Sequence, residues 1–199
     1  RGSTNWSSSE SGPRPLAPGA PYGPCVRSAP NDKVIATPEL HSRRLVLEVL
    51  SPAHSDSAFA GFADPDLYRF MSGEPPASAD ALRAEFARLA AGSGRDDELW
   101  LNWLAFRRED RALAGWHQAT LTVPTATIAW VTFPAFRRSG YAREGAAAVI
   151  AWLATQGVGE IVAQSDERNA GSRRTAEALG FLPDPAPIAE TLRGESTFD

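Results

Sequence analysis

Two arginines, a serine and a glycine, Arg137-Arg138-Ser139-Gly140, stand directly before Tyr141, Ala142 and an alanine-rich run. That order suits anion binding. The first N–H groups of a helix have no intrahelical partner and sit at the positive end of its dipole. A glycine ahead of them lets a phosphate approach the main chain, and a guanidinium adds charge-assisted hydrogen bonds. The same residues also make an ordinary strand-to-helix turn with solvated arginines, since short glycine motifs recur without ligands.

The elements that must position this loop follow from the hydrophobic period. Residues 43–50 read as a strand with Leu45, Leu47 and Val49 on one face. Ser51 and Pro52 open a helix expected to run to about Phe62, and Asp64-Pro65 a short helical turn through Phe70. Ser78 caps a helix in which Leu82, Phe86 and Leu89 recur at spacings of three and four. Residues 99–108 and 113–123 read as neighbouring strands around a polar turn, and 126–133 as a third, stopped by Pro134. Helix 141–156, strand 160–166 and helix 169–179 follow; a last strand begins at Phe181, with another near residues 190–198. This order predicts an α/β fold with a mixed, mostly antiparallel central sheet flanked by helices. Residues 1–36 are rich in Ser, Gly and Pro and read as an extended N-terminal extension, either an interaction arm or a segment docked on the domain formed by 37–199.

Composition narrows the function classes. The chain has 199 residues, 43% hydrophobic and 22% charged, enough for one well-buried domain. A formal net charge of −4 supplies no overall field for nucleic acid. Cys25 is the only cysteine, so no disulfide forms within the chain. His41, His54 and His117 lack zinc-ligand spacing, and no metal is expected. No apolar run approaches the roughly 20 residues that span a bilayer, and the N-terminus lacks a signal-like stretch, so the expectation is a cytoplasmic protein without membrane partners. Asp64, Asp66, Glu74, Asp96, Asp97 and Glu98 form either an acidic rim, suited to a polyamine, an amino sugar or a basic peptide N-terminus, or a solvated face.

The last third of the chain resembles the acetyl-CoA site of the GNAT superfamily of N-acetyltransferases. The family's pyrophosphate loop, Arg/Gln-x-x-Gly-x-Gly/Ala, is matched by Arg137-Arg138-Ser139-Gly140-Tyr141-Ala142. Its later Asn-x-x-Ser, followed by a helix ending in Leu-Gly-Phe, is matched by Asn169, Ser172 and Leu179-Gly180-Phe181. The stretch TPELHSRRLVLEVL is similar to the first strand of the branch that includes acetyltransferases of ribosomal-protein N-termini. The resemblance spans about residues 37–185. It implies that residues 137–142 hold the diphosphate of coenzyme A, and that the strand carrying Trp130, Val131 and Thr132 lines the pantetheine arm. An N–H near Val131 would meet the oxyanion, and Asn169 would bond the pantetheine or the strand gap. Trp130 also reads as a core aromatic and Asn169 as a helix cap.

Acyl transfer from a thioester to an amine needs a neutral amine, a stabilised oxyanion and a proton for the departing thiolate. The tyrosine that many family members use for the last step is replaced by Ala176. The ribosomal-protein branch instead implies Ser172, which also reads as a first-turn residue bonded to nearby backbone. The branch's glutamate is replaced by Thr127. Neutral His117 is the candidate base, directly or through water, although a lone strand histidine is commonly structural; positioning with a water-relayed proton needs no base at all. Alternation lets only one of Trp116 and His117 face the cleft, and likewise separates Trp100 from Trp103. The expected activity is acetyl-CoA-dependent N-acetylation of a small-molecule primary amine. A protein or peptide N-terminus is the second acceptor class; a non-catalytic acyl-CoA sensor and a structural or interaction protein are the rival readings. Self-association as a homodimer stays open.

Overall fold

The computed structural model describes residues 25–27, 34–36 and 37–182. Strands β1 (Cys25–Arg27) and β2 (Val34–Ala36) form an antiparallel pair, which no alternation in this Pro- and Gly-rich region signals. The main sheet contains β3 (Leu40–His41), β4 (Leu45–Val49), β5 (Leu99–Arg107), β6 (Leu113–Thr122), β7 (Thr125–Thr132) and β8 (Glu160–Ala163), in that spatial order. Every neighbouring pair is antiparallel except β7 and β8, which are parallel and joined through helix α3 (Tyr141–Thr155). The fold is the expected mixed α/β arrangement.

Alternation assigns the two faces. Leu45, Leu47, Leu101, Trp103, Ala119, Leu121, Ile128 and Trp130 pack against Ala146, Val149 and Leu153 of α3. The other face carries Leu104 and Phe106, covered by Ala58 and Phe62 of α1 (Ser55–Phe62) and by Leu82, Phe86 and Leu89 of α2 (Ala79–Ala91). Full burial of each such large apolar side chain contributes about 1.5–3 kcal/mol. Trp103, wholly buried, meets Trp152 of α3 edge-on at 5.7 Å and donates its indole N–H to Pro38 O at 2.8 Å.

Local signals set the helix ends. Ser78 Oγ accepts from Ala81 N–H at the start of α2, and Gly92, with φ +85°, follows its last residue. Asp64 accepts from Asp66 N–H and opens a 3₁₀ stretch, Pro65–Phe70. The helix expected from Ser51 is a 3₁₀ turn (Pro52–His54) running into α1.

Two expectations change. β8 stops at Ala163 rather than at residue 166, and Phe181 begins no strand. Phe181 instead closes α4 (Ala170–Ala178): Gly180, with φ +88°, donates to Glu177 O at 3.0 Å, and Phe181 N–H to Ala176 O at 3.1 Å. That paired bonding satisfies the last carbonyls of the helix and fixes the chain against strand pairing at that residue. The strand expected near residues 190–198 lies outside the described residues.

Candidate functional site

The site starts from an asymmetry of β7. Its pairing with β6 runs its whole length, from Thr122↔Thr125 to Gly115↔Thr132, whereas its pairing with β8 ends at Ile128↔Ala163. From Ala129 to Thr132 no described strand flanks the β8 side, so the sheet opens into a wedge. Hydrogen bonds at both ends of β7 show which peptide groups face it. Pro124 O accepts from Gly159 N–H at 2.8 Å on the β8 side, and Phe133 N–H donates to Ala114 O at 2.9 Å on the β6 side. Strand alternation then turns the N–H and C=O of Trp130 and Thr132 toward the wedge and those of Val131 toward β6. The peptide N–H groups pointing into the opening near Val131 are therefore those of its two neighbours, Trp130 and Thr132.

At the wide end of the wedge lies the arginine–glycine loop. Gly140, at φ +80°, immediately precedes α3, and Arg138 is also left-handed, at φ +64°. A non-glycine residue held there costs on the order of 1 kcal/mol, a strain that functional loops tolerate. The two arginines have separate fates. Arg137 forms a close ion pair with Asp66 and donates a second bond to Asp66 O at 2.9 Å, whereas Arg138 is exposed and makes no ion pair among the described residues. Ser139 is exposed; Tyr141 and Ala142 are half-buried in the first turn of α3.

A third cation lies beside the loop. Arg44 stacks on the Tyr141 ring, 4.6 Å from its centroid, and binds Glu144 through Nε and its own backbone N–H, each at 2.6 Å. Ser42 Oγ donates to the same carboxylate at 2.8 Å. Burial would raise the Glu144 carboxyl, but the bonds from Ser42 and Arg44 outweigh it and hold the group below the usual range. The helix therefore keeps an accessible positive end despite an acid in its first turn.

Beyond β8, the Arg168 guanidinium lowers the Asp166 carboxyl below its ordinary range, and Asp166 accepts at its carbonyl from Asn169 N–H at 2.8 Å. Asn169 Oδ1 accepts from Ser172 N–H at 3.0 Å, so Asn169 does cap α4. Ser172 behaves differently from a first-turn serine bonded to backbone. It is 8% exposed, and its Oγ has no hydrogen-bond partner among the described residues. Just past α4, Phe181 meets the Trp130 ring at 6.3 Å, which sets this helix beside the unpaired half of β7.

His117 lies elsewhere. It is 2% exposed on the α3 face; neither ring nitrogen has a partner among the described residues, and burial lowers its pKa to about 4. Trp116 takes the opposite face, 5.9 Å from Phe62, with its indole N–H on Asn102 Oδ1 at 3.2 Å. The arginine–glycine loop thus follows the unpaired half of β7, Phe181 sets the end of α4 beside that half, and His117 is seated inside the packing between β6 and α3. A base must come within about 3 Å of the proton it takes, or one water away. Trp103 and Trp100 separate as expected, the latter half-buried on the α1–α2 face with its indole N–H on Glu98 at 2.8 Å.

The acidic residues form a solvated and paired face rather than an open rim. Asp64 caps a helix, Asp66 binds Arg137, Asp97 binds Arg95 and Glu98 binds Trp100. Arg44 was not singled out from the sequence, and Asp66 only as one of the acidic residues; their partners Glu144 and Arg137 are 100 and 71 residues away. Among the described residues no cluster of His, Cys, Asp and Glu could hold a metal, and no helix is long and apolar enough to cross a membrane.

Comparison with known proteins gives the family and the fold. The family model of the acetyltransferase (GNAT) domain matches residues 44–182. A GNAT-family acetyltransferase from Bacillus anthracis superposes with a TM-score of 0.60 at 18% identity, over 74% of this chain and 85% of that one. The ribosomal-protein-S5-alanine acetyltransferase from Vibrio fischeri gives 0.60 at 11% identity, over 74% and 84%. At these identities both likenesses concern the fold. No curated protein matches the chain.

Proposed function

Because the chain belongs to the GNAT acetyltransferase family, whose members use acetyl-CoA, we propose that it transfers an acetyl group from acetyl-CoA to a primary amine of a small molecule. The observation that carries this reading is the wedge beside β7, with the arginine–glycine loop at its mouth and a buried, unpartnered serine hydroxyl in α4, the helix whose end packs on Trp130. A plain turn explains neither the opened strands nor the cost of the serine, about 1–3 kcal/mol for an unsatisfied buried hydroxyl.

In this reading the N–H groups of residues 138–142 and the Arg138 guanidinium hold the diphosphate, with Arg137 braced on Asp66. Backbone groups of Trp130 and Thr132 bond the pantetheine arm, and Asn169 fixes the turn that presents Ser172. The amine lone pair attacks the thioester carbonyl carbon, and the Thr132 N–H, facing the wedge, stabilises the oxyanion. As the C–S bond breaks, Ser172 Oγ–H gives its proton to the thiolate and regains one from solvent. The proton lost by the amine leaves through water, since His117 is walled off and neutral. Rate enhancement then rests on positioning and the oxyanion contact rather than on a strong base. The domain would comprise residues 37–199, preceded by the extension 1–36, in the cytoplasm.

Calorimetric titration with acetyl-CoA, followed by thiol release with a panel of amines, tests this. Binding with amine-dependent release is expected; binding without release to any amine or peptide N-terminus would point to a sensor, and no binding would reduce the loop to a turn.

A further inference from the structure

Asn102 stands in the middle of β5, on the face covered by α1 and α2, between half-buried Trp100 and fully buried Leu104. It is 5% exposed, a polar residue in an otherwise apolar layer. Its main-chain carbonyl accepts from Leu50 N–H at 2.9 Å, and its Oδ1 accepts from Trp116 Nε1 at 3.2 Å. An indole nitrogen only donates, so this bond fixes which end of the amide is oxygen. The Nδ2 end is buried and has no hydrogen-bond partner among the described residues. Packing alone would favour an apolar residue here, because a buried unmade hydrogen bond is costly and serves no fold.

Its position gives it a use. Across the sheet Asn102 pairs with Gln118, and Gln118 with Ala129, the first β7 residue beyond the β8 pairing. The row Asn102–Gln118–Ala129 therefore runs from the buried amide to the edge of the wedge, about 10 Å over two strand spacings. Gln118 is half-buried and its side chain makes no hydrogen bond with the described residues, so moving it to let a ligand atom reach Asn102 breaks none.

We propose that Asn102 binds the acceptor: its Nδ2–H donates to a carbonyl or carboxamide oxygen carried by the amine substrate, about two strand spacings from the reacting nitrogen. The proposal rests on the acetyltransferase reading and adds the acceptor class, an amine with a remote hydrogen-bond-accepting oxygen. Trp116 acts as a positioning residue that holds the amide in this orientation.

The test compares ε-aminocaproamide with its hydrocarbon isostere isooctylamine. Binding of each to the CoA complex is measured by calorimetry, and thiol release with acetyl-CoA by kinetics. Asn102→Leu should shift the preference toward the hydrocarbon by about tenfold or more, mainly through KM and Kd, with CoA affinity unchanged. Asn102→Asp keeps the Trp116 bond and replaces the donor by an anion, so it should shift preference toward hexamethylenediamine, which a merely structural role would not do. An unchanged ratio of the two amines in Asn102→Leu, or a wild-type protein that binds CoA yet binds neither amine, overturns the assignment. Failure to bind CoA overturns the reading beneath it instead.

Discussion

Gly145 of α3 and His117 of β6 are in direct contact: a Cβ built on the glycine would stand 1.9 Å from the histidine Nε2. No real contact is that short, and the histidine is itself 2% exposed, with little room to yield. Gly145→Ala should lower stability by about 1–3 kcal/mol through overpacking, read as a fall in the melting temperature. Pairing it with His117→Ala should recover most of that loss, and non-additivity in the double-mutant cycle is the check.

The same contact makes His117 acid-sensitive. Its pKa is about 4 in the fold, against 6.5 in the unfolded chain, so between these values the unfolded state binds more protons. Stability contributed by keeping the ring neutral is complete above about pH 6.5 and is lost as pH falls toward 4, a change on the order of 3 kcal/mol. His117→Leu should flatten the dependence of melting temperature on pH across that window. An unaltered slope would mean that other groups set it.

Ser172→Ala separates catalysis from folding. Removing an unpartnered buried hydroxyl leaves the melting temperature unchanged or slightly higher. If Ser172 protonates the thiolate, kcat falls by about a hundredfold while acetyl-CoA affinity holds. Equal kcat in the variant would return the serine to packing.

At the loop, Arg138→Ala should weaken CoA binding by about tenfold, the worth of one charge-assisted contact. Arg137→Ala should cost less affinity, because its guanidinium already serves Asp66. Gly140→Asp sets a carboxylate beside the diphosphate and should weaken CoA more than either, measured by the same titration in low salt. Equal affinities across the three would remove the diphosphate from this loop.

The sequence made the elements legible where local chemistry decides them. Ser78 and Asp64 mark helix starts by caps that act within three residues, and strand alternation separated Trp103 from Trp100 and His117 from Trp116. Contacts that depend on chain crossing were hidden. Nothing near Arg137 announces Asp66, and nothing near His117 announces Gly145. A strand was expected to begin at Phe181, but Gly180 commits the chain there to closing α4. Which N–H groups near Val131 face the wedge, those of Trp130 and Thr132, was not legible because strand parity is fixed only by the partners at Pro124 and Phe133.

Because β7 is zipped to β6 throughout and to β8 only at its start, the wedge is lined there by peptide groups, which every residue possesses. Mutation at Thr132 or Trp130 changes a side chain but leaves that lining in place. The α1–α2 face, by contrast, is built from side chains such as Asn102, Trp116 and Gln118, each open to replacement one at a time. If Asn102 binds the acceptor as proposed, β5 and β6 are the strands on which to build libraries for new acceptors, since changes there leave the peptide-lined wedge in place.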